Sequence, residues 1–233
     1  MRALILPHGS LRQAGAVTGR AVGGAQLPRR CILLGPSHAG SALRWSVMSR
    51  GAYRTPLGDV PIDESLSGAV LECCPFLEAD AWNQPGEHTI EVLLPFLQFV
   101  RPGELSIISI ITSSDTEEEF VELAQALAQL IRVQTEEVLL IASSDLSHYE
   151  EASIGAQKDR QLIETILRLD GLAVVRQIHG GLATMCGYGP VACVLMAARQ
   201  LGATEGRLLG YATSTETGGD PNSAIGYGGI LIR

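Results

Sequence analysis

The chain of 233 residues lacks several features that mark particular classes of protein. It has no C-x-x-C pair among its five cysteines, so a structural zinc ribbon is not expected. It has no apolar run long enough to span a bilayer, and no basic cluster beyond the pair Arg29-Arg30. The formal net charge of −8 argues against a surface for nucleic acid or for an anionic membrane. Neither nucleic acid nor a membrane is therefore an expected partner.

The amino-terminal stretch MRALILPHGS does not resemble a secretion signal, because its apolar segment is short and ends at Pro7-His8. An odd number of cysteines without the spacing of a disulfide framework is typical of a reducing compartment. We therefore expect a cytoplasmic protein. With 46% hydrophobic and 18% charged residues, the chain is suited to one large globular domain over residues 1–233.

Four apolar runs predict buried strands: ALIL (3–6), CILLG (31–35), LSIISIIT (105–112) and EVLLIA (137–142). They are nearly continuous in apolar character, as strands covered on both faces are. Helical patterns follow at 90–100, from Asp115 through the segment EEEFVELAQALAQLIRV, at 153–170 and at 191–202. Two more strand-like runs flank a polar loop near the end of the chain. The sequence predicts a single α/β domain with a mostly parallel or mixed central sheet and helices on both faces.

Histidines follow three of these apolar runs at the point where the strands end. His8 follows ALIL, His38 follows CILLG, and His148 follows VLLIA after a short polar segment. The carboxyl ends of neighbouring strands form the crevice in which open α/β sheets bind ligands, so we expect the three side chains to converge. Neutral imidazole binds iron, zinc and copper and also serves as a general base. The pattern therefore favours a metal site, a general base, or both.

The tripeptide Ser-Ser-Asp occurs twice, and the residues that follow it give the two copies different interpretations. The copy that ends at Asp115 precedes an acidic helical segment with Glu118 three residues on, so Asp115 is expected to cap that helix. The copy that ends at Asp145 precedes Leu-Ser-His148, and residues three apart share a face of a tight or helical turn. A carboxylate beside an imidazole fixes its tautomer and raises its basicity. Asp145 and His148 are therefore predicted to act as a pair.

Two further segments contain candidate functional groups. Glu87 and Glu91 are four residues apart, so they would share one face of the first turn of a helix. His88 directly follows Glu87 and would lie beside that face. Either these residues form a solvated helix start, or His88 reaches the crevice with Glu87 beside it. Cys186 precedes an apolar helical segment, where the helix dipole favours a thiolate, although a buried and inert cysteine has the same position.

Taken together, these motifs resemble those of the Memo family, whose prokaryotic members include AmmeMemoRadiSam system protein B. The similarity runs in order along nearly the whole chain, and the order GPSH, EHTIE, SSDLSH and CG-x-x-P is specific. The matching segments are PHGS (7–10), LGPSHAG (34–40), YRTPLGDVPID (53–63), GEHTIEVLLPFLQ (86–98), SSDLSHY (143–149), CGYGP (186–190) and YATSTET…AIGYGG (211–229).

The resemblance implies a fold related to the class III extradiol dioxygenases, which use non-haem iron(II). It implies metal-site positions at His8, His38 and Cys186, with Asp145 and His148 lining the same pocket. It also implies a radical SAM protein and an AMMECR-type protein as partners. Iron(II) is the expected cofactor, and copper or zinc also suits two imidazoles with a thiolate.

The chain departs from the patterns of these families in three places. Leu11 stands where the Memo family usually has the tyrosine of His-Ala-Gly-Tyr, and Ala39 stands where a second histidine often follows His38. The extradiol enzymes complete their iron site with a carboxylate, whereas this chain offers Cys186. Dioxygenase chemistry therefore does not follow from the fold.

Three hypotheses remain open for the function. The first is a metal-dependent oxidoreductase of the dioxygenase type acting on an unknown small molecule, in which His148, oriented by Asp145, is the base and His88 and Glu87 assist. The second is a zinc-dependent hydrolase or lyase with the same ligands. The third is a non-enzymatic module that binds a metal or a peptide.

Overall fold

The structure is a computed structural model that describes residues 1–40, 43–80 and 86–233. Its strands, in chain order, are β1 Ala3–Leu6, β2 Arg30–Pro36, β3 Trp45–Met48, β4 Ala52–Thr55, β5 Gly58–Pro61, β6 Glu78–Asp80, β7 Ser106–Thr112, β8 Val138–Ser143, β9 His148–Glu150, β10 Gly206–Thr213 and β11 Ala224–Ile232. Its helices are α1 Leu11–Gly23, α2 Glu64–Cys73, α3 Leu94–Val100, α4 Glu117–Arg132, α5 Ala152–Leu167, α6 Gly171–His179 and α7 Tyr188–Gln200.

The strands form a mixed central sheet in the order β10-β11-β1-β8-β2-β7-β3-β6, and β9 pairs with β11. The middle four strands, β1, β8, β2 and β7, run parallel to one another. Their carboxyl ends therefore lie at one edge of the sheet. β11 runs antiparallel to β1, so its first residues lie at this edge too, and β9 pairs with them. β4 and β5 form a separate hairpin.

Both faces of the sheet are buried, which explains the continuous apolar runs of the middle strands. In β1, Ala3 and Ile5 pack with one hydrophobic cluster, and Leu4 and Leu6 pack with the other. Residues of α2 and of α4 to α7 belong to the first cluster, and residues of α1 and α3 belong to the second. Helices thus cover both faces, and the predicted α/β class and mixed sheet are confirmed.

The predicted cap at Asp115 is wrong. α4 begins at Glu117, and its N-cap is Thr116, whose side chain makes no capping hydrogen bond. The helix start is held instead by Glu119, whose carboxylate accepts hydrogen bonds from the Trp45 indole at 2.7 Å and from the Arg44 guanidinium at 3.3 Å. These bonds draw the first turn of α4 onto β3, which a capping pattern in the sequence could not indicate.

The predicted helical turn that Glu87 and Glu91 were to share is also wrong. Residues 87–90 are not helical, a 3₁₀ turn spans Glu91–Leu93, and α3 starts only at Leu94. The Glu87 carboxylate accepts the backbone N–H groups of His88 at 2.9 Å and Thr89 at 3.1 Å. A side chain that accepts the N–H groups of its neighbours offers the backbone an alternative to helical hydrogen bonds. Here these bonds hold residues 87–90 outside the helix.

The predicted helices at 153–170 and 191–202 correspond to α5 and α7, although α7 begins three residues earlier, at Tyr188. The helices α1, α2 and α6 and the short strands β3 to β6 and β9 were not predicted. Within the described residues, no helix is both long and apolar enough to cross a membrane.

We predict that Phe120→Ala lowers the free energy of unfolding by about 3–5 kcal/mol, the usual cost of removing a buried aromatic ring. Phe120 is fully buried, with its ring 6.1 Å from those of Trp45 and Tyr188. Urea denaturation measures the loss. Phe99→Ala is the matched control, because Phe99 is 82% exposed and its loss should stay within about 0.5 kcal/mol. Equal losses in the two variants would contradict this account of the core.

Candidate metal centre

The ends of three neighbouring strands bring the candidate residues together. His8 follows β1, His38 follows β2, and Asp145 follows β8, which lies between them in the sheet. His148 begins β9 and arrives at the same edge through its pairing with Ile225 of β11.

Cys186 reaches the site from another part of the fold, because it lies just before the start of α7. The next residue, Gly187, packs so closely on the end of β8 that a Cβ atom would collide with the Ser143 carbonyl oxygen and would lie 2.7 Å from the Ser144 Cβ. The glycine therefore lets α7 start against the strand end and brings the cysteine over it.

Three ligand atoms meet at this edge. The Nε2 atom of His8 lies 3.3 Å from Nε2 of His38 and 3.2 Å from Sγ of Cys186. All three ligand atoms lie within 4.8 Å of one another. His8 is buried, Cys186 is half-buried, and His38 is exposed at the mouth. The three side chains therefore form a cluster that opens to solvent on one side.

The Ser143 hydroxyl fixes the tautomer of His8. It donates to the Thr89 carbonyl at 2.5 Å, so its oxygen is left to accept from Nδ1–H of His8 at 2.8 Å. Nδ1 then carries the proton, and the lone pair of Nε2 points at His38 and Cys186. Ser143 and Thr89 lie in the matching segments 143–149 and 86–98, but no pattern in the sequence assigned them a role in the site. The role of Ser143 follows from the register, which pairs it with Leu6 of β1.

Glu87 anchors the two loops that present His38 and His88. Its Oε2 accepts the backbone N–H groups of His38 at 2.5 Å and Ala39 at 3.1 Å, and its Oε1 accepts those of His88 and Thr89. Burial alone would raise the pKa of Glu87, but these N–H groups hold it below the usual value. Glu87 is thus an ionised anchor rather than a free base.

The imidazole of His88 lies beside the cluster but outside it. Its ring centroid is 5.7 Å from that of His8 and 5.8 Å from that of His38, and its side chain is half exposed. His148 begins β9 at the same edge of the sheet, and its electrostatic effect helps to lower the pKa of His8. Four of the five histidines therefore lie at this edge.

The imidazoles of His8, His38 and His148 are held neutral, the form that binds metals. Burial, followed by the nearby His38, His88 and His148, lowers the pKa of His8 well below its ordinary value. Burial also lowers the pKa of His38, against the opposing effect of Glu87. Burial likewise lowers the pKa of His148, against a hydrogen bond to the Leu146 backbone.

The predicted pairing of Asp145 with His148 is not observed among the described residues. Oδ1 of Asp145 accepts the backbone N–H groups of His8 at 2.8 Å and Gly9 at 3.0 Å, and Oδ2 lies 3.9 Å from Nε2 of His8. The turn after Asp145 leads directly into the extended strand β9, so a spacing of three does not give a shared face. Burial raises the pKa of Asp145 to about 6, although these N–H groups act to lower it.

The thiol of Cys186 is protonated in the metal-free protein. Burial, with the nearby Asp145 charge, raises the pKa of Cys186 to about 12, although the Asp145 N–H at 3.3 Å from Sγ opposes this. Of the two interpretations that the sequence left open for Cys186, this favours a buried protonated thiol in the absence of a metal over a thiolate stabilised by the helix dipole. Binding of a metal to Sγ would release this proton.

A cavity of about 230 Å³ opens beside the cluster, and His38 and Cys186 form part of its wall. The rest of the wall includes Thr112, Ser113, Tyr188 and Pro190. Larger hollows of about 430 and 500 Å³ lie elsewhere on the surface, and neither is lined by a candidate residue. The small cavity is the one that a molecule contacting the cluster would occupy.

Comparison with known proteins agrees with the resemblance seen in the motifs. A MEMO1 family protein of Methanopyrus kandleri is 33% identical over 99% of this chain and 82% of its own length. A MEMO1 family protein of Methanosarcina barkeri is 34% identical over 98% of this chain and 85% of its own length.

A solved structure has the same fold. An uncharacterized protein from Escherichia coli K12 superposes with a TM-score of 0.66 over 98% of both chains, at 15% identity. The sequence profile described as Memo-like protein matches residues 1–231. The chain is a member of the Memo-like protein family.

Proposed function

We propose that His8, His38 and Cys186 bind one transition-metal ion, with iron(II) preferred, and that the chain is a metal-dependent oxidoreductase for a small molecule. The observation that carries this proposal is the approach of three ligand atoms at 3.2 and 3.3 Å around Nε2 of His8. Tetrahedral ligands at ordinary metal distances lie roughly 3.3–3.7 Å apart, so a single ion fits among them after small shifts.

The chemistry of the three side chains also supports the binding of one metal ion. His8 is already the tautomer whose Nε2 can bind, and three protein ligands leave a further position open, as in catalytic rather than structural metal sites. When bound, such an ion supplies Lewis-acid and electron-transfer chemistry beside the cavity. Iron(II) is preferred on the resemblance to non-haem dioxygenases, and the thiolate would also suit copper or zinc.

His148 is the group best suited to take a proton from the substrate. Its imidazole is neutral because burial lowers its pKa, and its backbone pairs with Ile225 at the same edge of the sheet as the cluster. Asp145 holds the backbone of His8 and Gly9 in place and turns Oδ2 towards His8. We assign His88, at the exposed mouth, to contact with the substrate, and Glu87 to holding both loops.

The cavity restricts the size of the substrate. Its volume of about 230 Å³ is below the roughly 300–1,000 Å³ of pockets that hold drug-sized ligands. No Lys, Arg, Asp or Glu side chain belongs to its wall within the described residues. We therefore propose a small polar molecule as substrate.

We predict that His38→Ala and Cys186→Ser lose bound metal, since each removes a ligand. Affinity should fall by more than the roughly 100-fold that loss of an orienting group costs. Metal content of untagged protein, loaded anaerobically with iron(II) and measured by mass spectrometry, tests this. Binding should also weaken as pH falls, because protons compete for the imidazoles and the thiolate.

The matched controls are His179→Ala and Cys73→Ser, which change exposed residues of the same types. Both should retain one metal per chain. Equal loss in variants and controls would place the metal elsewhere. Zinc as the only retained metal would favour the hydrolase or lyase, and peptide binding without turnover would favour a non-enzymatic module.

A second prediction concerns the tautomer of His8. Ser143→Ala removes the oxygen that accepts Nδ1–H, so the ring loses its orientation and metal affinity should drop about 10–100-fold. Competition with a chromogenic chelator measures the affinity. Ser153→Ala is the control, because that hydroxyl donates to Glu151 at the exposed start of α5. Unchanged affinity in Ser143→Ala would remove Ser143 from the site.

The third prediction separates a base from a ligand. If His148 is the base, His148→Ala should keep metal affinity within about tenfold and lower turnover on the order of 10²–10⁴-fold. Metal titration of His148→Ala beside Cys186→Ser decides the question. Stoichiometric metal in the cysteine variant with none in the histidine variant would move the site onto three histidines.

A further inference from the structure

A buried carboxylate outside the metal-binding cluster contacts the segment that contains His148. Asp159 belongs to α5 and is 1% exposed. Its Oδ1 accepts the Ser147 backbone N–H at 2.8 Å, and its Oδ2 accepts the Ser147 hydroxyl at 2.9 Å and the Tyr211 hydroxyl at 2.7 Å. Burying a carboxylate is unfavourable unless hydrogen bonds replace its hydration, so three donors at one carboxylate identify a built contact.

The sheet leaves room for this carboxylate. At Gly226 of β11, a Cβ atom would collide with Oδ2 of Asp159. The same glycine forms two backbone hydrogen bonds with the turn, from Leu146 N–H at 2.8 Å and to the Ser147 carbonyl at 2.9 Å. Any larger side chain at this position would push the carboxylate away from Ser147.

α5 holds the far end of the same segment as well. Lys158, the neighbour of Asp159, forms an ion pair with Glu150 at 2.7 Å. The Thr184 hydroxyl accepts the backbone N–H of His148 at 3.0 Å and donates to Glu150 at 3.3 Å. Two consecutive residues of one helix therefore fix the residues on both sides of the pair His148-Tyr149.

The segment needs such anchors because its backbone is strained. Tyr149 has φ 57°, in the left-handed region that residues with a Cβ atom rarely adopt. Its side chain is 73% exposed, so burial of the ring does not offset the strain, although the ring lies against that of His148 at 5.9 Å. Strain of this kind persists only where the surroundings impose it, and it concentrates at functional sites.

We propose that Asp159 is the positioning residue for His148. By holding the N–H and the hydroxyl of Ser147, it fixes the strained turn that places His148 at the edge of the sheet where the cluster lies. The proposal rests on the proposed function only for the role of His148 as a base. The position of the imidazole is a property of the folded chain and can be measured without turnover.

The experiment compares the imidazole signals of the full-length protein and its Asp159→Asn variant by NMR of ¹⁵N-labelled histidine, as purified and after loading with zinc(II). The amide keeps the volume but replaces one acceptor oxygen by a donor. His148 signals, assigned with His148→Ala, should shift and broaden, while those of His179 stay unchanged. Zinc affinity should remain within about tenfold, because the ligands are held by other contacts.

Asp170→Asn is the matched control. Asp170 caps α6 through the backbone N–H of Ala173, so its loss lowers stability without touching the turn. It should leave the His148 signals in place. Unchanged His148 signals in Asp159→Asn, or an equal shift in Asp170→Asn, would overturn the proposal.

Two milder variants test the proposal even if Asp159→Asn does not fold. Ser147→Ala and Tyr211→Phe each remove one hydroxyl donor to Oδ2. Both should move the His148 signals, and Ser147→Ala should move them further. No movement in either variant would overturn the proposal. A wild-type protein that binds no metal would refute the proposed function, yet it would leave this comparison of signals valid.

Discussion

The parallel alignment of β1, β8 and β2 is the constraint on which the candidate site depends. Both faces of these strands are buried, so slipping any of them by one residue would exchange the two cores. The register therefore fixes which residues leave the sheet together, and it pairs Leu6 with Ser143. His8, His38 and Asp145 follow the ends of strands that cannot shift, and the geometry of the cluster follows from the packing of the sheet.

Hydrogen bonds between the loops make that geometry specific. The Ser143 hydroxyl links the end of β8 to His8 and to the Thr89 carbonyl, and Glu87 joins the loop of His38 to that of His88. Ser143 and Glu87 are buried polar groups, so removing either one leaves its hydrogen-bond partners unsatisfied. The three side chains are thus oriented in the absence of a metal, and little conformational freedom would be lost if a metal bound to them.

The sequence was enough to predict the parts of this arrangement that depend on long apolar runs. The middle strands follow from long apolar runs, and the positions of His8 and His38 follow from runs that stop at Pro7 and at Pro36. Short strands such as β3 and β6 have no such signal, because they depend on pairing with distant strands. Hydrogen-bond partners that meet only in the tertiary fold could not be predicted from the sequence either. Asp145 faces His8 rather than His148, and Ser143 gains its role only through the register with β1.

The cluster also joins parts of the chain that are far apart in sequence, since Cys186 and His8 are separated by 178 positions. An unfolded chain would have to close a very large loop to bring these ligands together, so an ion that needs all three would bind the native state almost exclusively. Such an ion would raise the free energy of unfolding of the whole domain, and this increase would grow with the logarithm of the free metal concentration. The protein's resistance to unfolding would then report the supply of its metal.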